Sequence, residues 1–284
     1  MTTLLSLIGE QPIPILLVHR ALKPERHLLA ASDRTMRVAK NLKRLLPHAS
    51  LLPLEDAYDL EGIRKDFEKA FAPGMVFNLT SGTKPMAWAG YEVARAHRGR
   101  VVYLQSEGKQ SRLHTLDFSS AVVAQASALL PPLITIDDYL KAHGLYPQLE
   151  GSFSNRQEVA LSHFLREHVD ECKSNLKFPA FEIDFLVRRG NQVAVVEAKA
   201  KKKSTRFGID QLTTITGREY LGTYTGRIWV VSTPPANQIL DLAEAYRIEV
   251  VLVSIHEKAP GRWRLTPQSR ARLASALDKV LGQH

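Results

Sequence analysis

The sequence predicts an α/β protein of two domains, the first built on a doubly wound (Rossmann-like), mostly parallel sheet. The chain has 284 residues, which is enough for two separate cores. Along residues 1–118, apolar runs of strand length alternate with segments of helical periodicity. Residues 119–150 break this alternation with several prolines, so a linker is expected there. Residues 151–284 are expected to form the second domain.

The first domain is predicted to contain six strands and three helices. Runs rich in Leu and Val predict strands at residues 2–9, 27–32, 50–54, 74–80 and 100–106, and an antiparallel edge strand at 112–118. Apolar residues at helical spacing predict helices at 33–46, 59–71 and 83–97. Because ligands bind outside the carboxyl ends of the strands in such sheets, the loops that follow the strands are expected to carry a binding site.

The second domain has a different order of elements. A helix is predicted at residues 154–169, with Ser154 or Asn155 as its cap and Glu158 in its first turn. The remaining elements are two strands within 181–200, a helix at 208–221, strands at 227–232 and 249–254, and a final strand and helix after residue 261.

Composition limits the classes of partner and compartment. The net charge of +9 and a sequence pI of about 9.6 favour an anionic partner, although a basic solvated surface explains them equally well. The single cysteine, Cys172, excludes an intramolecular disulfide and fits a reducing compartment. The first residues lack the basic start of a signal peptide, and no run of about 18 apolar residues occurs. These features predict a cytoplasmic protein without a membrane span.

Residues 78–86, NLTSGTKPM, stand where a predicted strand ends and a predicted helix begins. The start of that helix offers N–H groups and the positive end of its dipole to a ligand, and Gly82 lets a ligand approach the backbone closely. Hydroxyl groups and one positive charge surround the glycine, from Thr80, Ser81, Thr83 and Lys84. The spacing of glycine and lysine excludes a Walker phosphate loop. The alternative is a structural Ser/Thr cap beside a solvated lysine.

The same stretch resembles the N-x-T-G-G-T-K-x-M signature of CRISPR-associated Rossmann-fold (CARF) domains, with Ser81 in place of the first glycine. The resemblance covers roughly residues 1–118 and includes the start SLIGEQPIP, which is similar to the loop after the family's first strand. It implies a homodimer that binds a cyclic oligoadenylate, the second messenger of type III CRISPR complexes, with cyclic tetra-adenylate as the expected activator. The ligand-binding residues that it implies are Gln11, Pro12, Ser32, Asp33, Asn78, Thr80, Ser81, Gly82, Thr83 and Lys84.

In the second domain, the stretch EIDFLVRRGNQVAVVEAK predicts a β-hairpin with a two-residue turn at Gly190 and Asn191. That turn would place Asp184 opposite Glu197, with Lys199 two residues beyond Glu197 on the same face. Two neighbouring carboxylates form a hard-oxygen site for Mg²⁺ or Mn²⁺, and a lysine beside them can orient a water or stabilise charge on a phosphate. The alternative is a cross-strand ion pair on a solvated sheet face.

The pattern Asp184…Glu197-x-Lys199 resembles the core motif of PD-(D/E)xK nucleases, which have a restriction-endonuclease-like α/β fold. Ile183 stands where the motif has proline. The resemblance implies catalytic roles for Asp184, Glu197, Lys199, Glu158 and Gln211, and metal ligation by Asp184, Glu197 and Glu158. The alternatives are that Glu158 only complements a helix dipole and that Gln211 is an ordinary surface residue.

Other signals are weaker. The run KAKKK at 199–203 could hold a nucleic-acid backbone, or it could be a solvated charge run. His163 and His168 are not spaced as a helical zinc pair, and Cys172 has no second cysteine, so no zinc site is expected.

The leading interpretation is a cyclic oligoadenylate-activated, metal-dependent nuclease that cleaves DNA, RNA or both in type III CRISPR antiviral defence. One alternative is a nucleotide-responsive regulator that binds nucleic acid without cleaving it, which would need no carboxylates facing phosphate. Another is a restriction or repair nuclease whose first domain only dimerises, which would leave NLTSGTKPM without a purpose.

Overall fold

The computed structural model describes residues 2–107, 109–148, 153, 155–199 and 205–283. The chain divides into two compact units. The first comprises Met1–Ile134 and Lys141–Gly144, and the second comprises Thr135–Leu140 and Leu145–His284.

The first unit contains a seven-stranded sheet in the order β3-β2-β1-β4-β5-β6-β7. Its elements are β1 (Thr3–Leu7), α1 (Ile13–Leu22), β2 (Arg26–Ala31), α2 (Met36–Leu45), β3 (Ala49–Pro53), α3 (Leu60–Ala70), β4 (Val76–Asn78), α4 (Lys84–Ala96), β5 (Arg100–Glu107), β6 (Gln110–Asp117) and β7 (Ala124–Leu129). Strands β1 to β5 pair in parallel, whereas β6 and β7 are antiparallel. The predicted doubly wound, mostly parallel sheet is therefore confirmed.

Two elements of this unit were not expected from the sequence. Helix α1 begins after Pro12, and its continuous apolar run, buried from Ile15 to His19, hides the helical period. Strand β7 lies in the range 119–150, and all six of its residues are exposed. The residues that alternate along this exposed strand are small alanines, which give only a weak hydrophobic pattern, so β7 is recognised from its ladder with β6. Helix α5 (Ile136–Ala142) lies in the same range.

The core of the first unit lies between the sheet and its helices. The buried side chains of Leu5 and Leu7 on β1 and Phe77 on β4 pack with Phe67 of α3 and Met86 of α4. Because β1 is central and both of its neighbours run parallel to it, the loops after β1, β2 and β4 meet at one edge of the sheet.

The second unit contains a five-stranded sheet in the order β12-β11-β10-β9-β8 and a separate two-stranded sheet, β13-β14. Its elements are α6 (Arg156–His168), β8 (Glu171–Lys177), β9 (Glu182–Arg189), β10 (Gln192–Lys199), α7 (Thr205–Ile215), β11 (Gly226–Val231), α8 (Asn237–Ala245), β12 (Glu249–Leu252), β13 (Ile255–Ala259), β14 (Arg262–Leu265) and α9 (Pro267–Leu281). Strands β8, β9 and β10 are antiparallel, and β10, β11 and β12 are parallel.

The predicted hairpin between β9 and β10 is confirmed in turn and register. Gly190 has a positive φ of 61°, as the first central residue of a tight hairpin turn requires. Arg189 pairs with Gln192, and the same register continues to Phe185 and Val196. Asp184 and Glu197 are the next residues on their strands. No helix in the described part of the chain is long and apolar enough to cross a membrane.

Candidate functional site

The loops of the first unit that follow β1 and β4 are in direct contact. A Cβ atom added at Gly9 would lie 3.2 Å from the backbone N of Gly82 and 3.2 Å from the Cβ of Ser81. The loop after β1 also reaches the turn after β2, because the Arg34 guanidinium forms an ion pair of 2.8 Å with Glu10. The three loops therefore form one cluster at the carboxyl edge of the parallel strands.

A chain of buried hydrogen bonds supports the loop after β4 from below. The Asn78 side chain, which is fully buried, donates through Nδ2 to Ser6 Oγ at 3.1 Å. Ser6 Oγ lies 2.8 Å from His27 Nε2, and His27 Nδ1 lies 3.0 Å from His19 Nδ1. Above Asn78, its Oδ1 accepts hydrogen bonds from the backbone N–H and the hydroxyl of Thr80. These hydrogen bonds thus connect α1, β2, β1 and β4 to the loop after β4.

The hydroxyl groups of Thr80 and Thr83 form hydrogen bonds within the protein. Thr80 Oγ1 also accepts from the backbone N–H of Leu104 at 2.9 Å. Thr83 is the N-cap of α4: its hydroxyl accepts from the N–H of Met86 at 3.3 Å and donates to the carbonyl of Ala57 at 2.5 Å. These contacts indicate that Thr80 and Thr83 hold the loop in shape, whereas the outward surface comes from their neighbours.

Ser81, Gly82 and Lys84 form that outward surface. Gly82 and Lys84 are exposed and Ser81 is half-buried. Gly82 has a φ of +81°, and an added Cβ would lie 2.9 Å from the Cβ of Leu7, so only glycine fits without a shift of the backbone. Lys84 is the first residue of α4, where its positive charge stands at the positive end of the helix dipole.

The other predicted ligand residues lie on the neighbouring loops of the same edge. Gln11 is half-buried, and Pro12 is the buried N-cap of α1. Ser32 is the half-buried N-cap of the 3-10 turn Asp33–Thr35, and Asp33 is exposed. The structure thus brings every predicted ligand residue to the edge formed by the loops after β1, β2 and β4.

In the second unit, the two predicted carboxylates lie on adjacent strands where the β9–β10 ladder ends. Asp184 is half-buried, and its Oδ2 accepts a hydrogen bond of 2.8 Å from the backbone N–H of Ala198. Glu197 is fully buried. A buried carboxylate needs hydrogen bonds or a cation to offset the loss of its hydration.

Gln211 supplies one such hydrogen bond to Glu197. Its Nε2 lies 3.0 Å from Glu197 Oε2 and 3.2 Å from the carbonyl oxygen of Glu182, and it donates to both. The side chain is half-buried on α7. The structure therefore joins three of the five predicted catalytic residues, Asp184, Glu197 and Gln211, at one end of the hairpin.

The other two predicted catalytic residues, Lys199 and Glu158, are each in a different situation. The backbone of Lys199 pairs with Val231 of β11, but its side chain is outside the described residues, as are residues 200–203 of the basic run. Glu158 is buried in the first turn of α6, where its Oε1 accepts a hydrogen bond of 2.6 Å from Asn155 Nδ2. Asn155 is the N-cap of that helix, so Glu158 takes part in the cap.

The donor set fits a hard divalent cation. Asp184 and Glu197 offer carboxylate oxygens, which Mg²⁺ and Mn²⁺ prefer. Within the described part of the chain, no group of three or more His, Cys, Asp or Glu side chains is placed to hold a metal ion. Asp184 and Glu197 alone supply two carboxylates, fewer than such a group contains. A third ligand from Glu158 stays a prediction.

Sequence reasoning missed the groups that support the first site. Ser6 and His27 are fully buried polar residues within the apolar strands LLSL and HLLAA. A polar residue inside such a run is the signal that could have found them, because a buried polar side chain needs a hydrogen-bond partner. Its partner, however, comes from another strand and cannot be read from spacing along the chain.

No protein-family model and no curated protein matches the chain. Among solved structures, it is similar to Can2 from Sulfobacillus thermosulfidooxidans in complex with cyclic tetra-adenylate, with a TM-score of 0.73, 14% identity and 100% of both chains covered. The chain shares the Can2 fold over its whole length. It is also similar to protein VC1899 from Vibrio cholerae, with a TM-score of 0.70, 12% identity and 99% of each chain covered.

A third structure is described as a type III CRISPR defence DNA nuclease activated by cyclic oligoadenylate. The TM-score is 0.63 and the identity is 16% over 98% of this chain and 51% of that one. At such identities the comparisons establish a common fold with these three proteins.

Proposed function

We propose that this protein is a homodimeric nuclease of type III CRISPR defence, activated by cyclic tetra-adenylate and dependent on Mg²⁺ or Mn²⁺. In this proposal the first unit is a CARF sensor and the second is a PD-(D/E)xK nuclease. The proposal rests on the presence of two features in one chain. They are the loop cluster around Gly82 and the carboxylate pair at the end of the hairpin. The chain that contains them shares the fold of Can2 over the whole length of both chains.

The sensor function rests on the chemistry of the loop cluster. The exposed backbone of Gly82, the Ser81 hydroxyl and the Lys84 ammonium group are suited to phosphate and ribose. Can2 was solved with cyclic tetra-adenylate bound. Asn78, Thr80 and Thr83 are assigned a positioning role in this proposal, since their polar groups are hydrogen-bonded within the unit.

The dimer is supported by an exposed aromatic surface next to the loop. Trp88 is 63% exposed and Tyr91 is 37% exposed, one turn apart on α4, directly after the ligand loop. Exposed aromatic side chains of this size favour a protein interface. A second copy across a two-fold axis would bring two copies of Lys84 to one ring-shaped ligand.

The proposed reaction is hydrolysis of a phosphodiester bond. Asp184 and Glu197 would hold the metal ion, which, when bound, supplies positive charge that activates water and stabilises the phosphate in the transition state. Gln211 fixes the Glu197 carboxylate through the hydrogen bond of 3.0 Å. Lys199 would assist the attacking water, and Glu158 would complete the metal site.

The test is an assay of labelled DNA and RNA, single- and double-stranded, with Mg²⁺ or Mn²⁺, in the presence and absence of cyclic tetra- and hexa-adenylate. We expect cleavage that requires the metal ion and increases many-fold with cyclic tetra-adenylate. Binding of nucleic acid without cleavage under every condition would favour the regulator instead. Cleavage at the same rate with and without either activator would favour a restriction or repair nuclease with a dimerisation domain.

A further inference from the structure

The second unit contains a cavity of about 570 Å³. None of the candidate catalytic residues whose side chains the structure describes lines it. Its walls come from the start of α6 and from the segments that follow β11 and β12. The lining residues are Asn155, Arg156, Gln157, Ser232, Val253, Ser254 and Ile255. The volume lies in the range of small-ligand pockets.

Gln157 is the residue of this cavity that most requires an explanation. The residue is 5% exposed, and its Nε2 makes no hydrogen bond to any of the residues that the structure describes. Buried polar groups are nearly always paired, so an unpaired amide in a residue that lines a cavity is a candidate to bind a ligand there. The Nε2 atom is itself buried, so it reaches the cavity only when the side chain turns. The last torsion of a glutamine side chain is broad, which lets the amide turn toward a ligand.

The other polar groups of the cavity indicate an anion. Arg156 is exposed, and its guanidinium carbon lies 4.5 Å from the centre of the Trp263 ring, a stacking contact that orients the cation. The positive end of the α6 dipole is at the same place. Asn155 already accepts from the N–H groups of Gln157 and Glu158, so the groups available to an anion are mainly side chains. Ser254 adds a hydroxyl.

The cavity lies beside the candidate active site on the same edge of the sheet. Strands β10, β11 and β12 are parallel, so their carboxyl ends share that edge. Lys199 pairs with Val231, and Ser232 of the cavity follows Val231 directly. Neighbouring strands are about 4.8 Å apart, so the cavity begins within one or two strand spacings of the end of β10.

We propose that this cavity is a subsite for a backbone phosphate of the nucleic-acid substrate, next to the phosphodiester bond that is cleaved. Gln157 and Arg156 are its principal ligands. The proposal rests on the nuclease function and adds a place where the substrate strand is held. Since phosphate contacts carry no base information, the subsite acts on DNA or RNA of any sequence.

The test compares Gln157→Glu with Gln238→Glu. Gln157 is the second residue of α6 and Gln238 is the second residue of α8, so both variants add the same negative charge at the same helical position. Gln238 is exposed and outside the cavity. Affinity for labelled DNA and RNA is measured with the full chain in buffer without divalent ions, over a series of salt concentrations.

We expect Gln157→Glu to weaken binding roughly tenfold or more, because a carboxylate there repels the phosphate. Gln238→Glu should bind as the wild type does. Arg156→Gln should lower the slope of log affinity against log salt by about 0.7 to 0.9, the value for one lost phosphate contact. Equal affinities for Gln157→Glu and Gln238→Glu would overturn the proposal.

If Gln157→Glu does not fold, Gln157→Met provides the test instead. Methionine fills a similar volume without a buried amide, so it should fold at least as stably as the wild type yet bind nucleic acid less tightly. Wild-type affinity in Gln157→Met would mean that the amide is a packing defect and would overturn the subsite. A wild-type protein that neither binds nor cleaves any nucleic acid would overturn the proposed function itself, and the subsite with it.

Discussion

The side-chain amide of Gln211 donates a hydrogen bond to the buried carboxylate of Glu197, with 3.0 Å between Nε2 and Oε2. The same Nε2 donates to the carbonyl oxygen of Glu182 at 3.2 Å, so one amide connects α7 to both strands of the hairpin. This contact orients Glu197 from the helix that follows it. If Glu197 is a metal ligand as proposed, a group that orients it is expected to affect metal affinity as well as rate.

We predict that Gln211→Leu lowers cleavage about 10- to 100-fold and raises the metal concentration needed for half-maximal rate, because outer-shell partners of metal ligands have effects of this size. Titration with Mn²⁺ at saturating activator measures both quantities. Gln238→Leu, at an exposed glutamine of α8, is the control. A Gln211→Leu protein with the wild-type rate and metal dependence would mean that Gln211 has no role in the proposed metal site.

Removal of either candidate metal ligand should have a larger effect. Asp184→Asn and Glu197→Ala are each expected to abolish cleavage at low millimolar Mg²⁺, since one remaining carboxylate cannot hold the ion in place. Activator binding should be unchanged, because both residues belong to the second unit. Cleavage by either variant at the wild-type rate and metal concentration would contradict the metal-site assignment.

The sequence predicted the two features that depend on short-range pattern. The order of apolar runs and helices was enough for the parallel sheet, and the turn at Gly190 and Asn191 was enough for the hairpin register. Period and turn chemistry are local properties of the chain. They are therefore sufficient to place Asp184 and Glu197 on their strands.

The features that the sequence did not predict depend on contacts between distant segments. Strand β8 has only Ser174 and Leu176 buried, so its pairing with β9 leaves almost no apolar alternation. His27 and Ser6 lie on different strands. Their hydrogen bond therefore cannot be predicted from local periodicity in the sequence. The cavity lined by Gln157 is formed by three segments that are distant from one another in the sequence.

The buried histidine of that network should make the first unit sensitive to acid. Burial, and to a lesser degree the nearby His19, lowers the pKa of His27 from 6.5 to about 3. Between these values the unfolded chain binds a proton that the folded chain does not. Stability is therefore fully present above pH 6.5 and is lost as the pH falls toward 3, by roughly 2 kcal/mol at pH 5 from His27 alone.

Urea denaturation at pH 7.5 and pH 5.0 measures this difference. His27→Gln should be less stable than the wild type at pH 7.5 but should lose less stability on acidification, since glutamine does not titrate. His256→Gln removes an exposed histidine and is the control. An equal loss of stability in the wild type and in His27→Gln would mean that other groups cause the acid sensitivity.

Gly82→Ala tests the close contact beneath the loop after β4. The substitution adds a Cβ at a φ of +81°, 2.9 Å from the Cβ of Leu7. Gly74→Ala is the matched control, because its φ is +77° but no atom lies within 4 Å of the added Cβ. Both variants should lose about 1–2 kcal/mol of unfolding free energy from backbone strain. Only Gly82→Ala should lose more unfolding free energy than this and bind cyclic tetra-adenylate less tightly. Equal stability and equal affinity in the two variants would contradict the proposed contact.

The last prediction concerns Lys84. At the first position of α4 its positive charge opposes the helix dipole, so the fold gains nothing from a lysine there. Lys84→Ala should therefore keep or slightly raise the unfolding free energy, by up to about 1 kcal/mol. It should also weaken binding of cyclic tetra-adenylate and raise the activator concentration needed for half activity.

The maximal cleavage rate of Lys84→Ala at saturating activator should stay close to that of the wild type, since Lys84 and Asp184 belong to different units. Binding and cleavage are followed together as the activator is titrated. Lys40→Ala, at an exposed lysine of α2, is the control for the loss of one positive charge. In the proposed dimer, a ligand can favour an active arrangement only through contacts that differ between arrangements. An unchanged binding constant in Lys84→Ala would therefore mean that the lysine is merely solvated and would remove the main cation from the proposed sensor site.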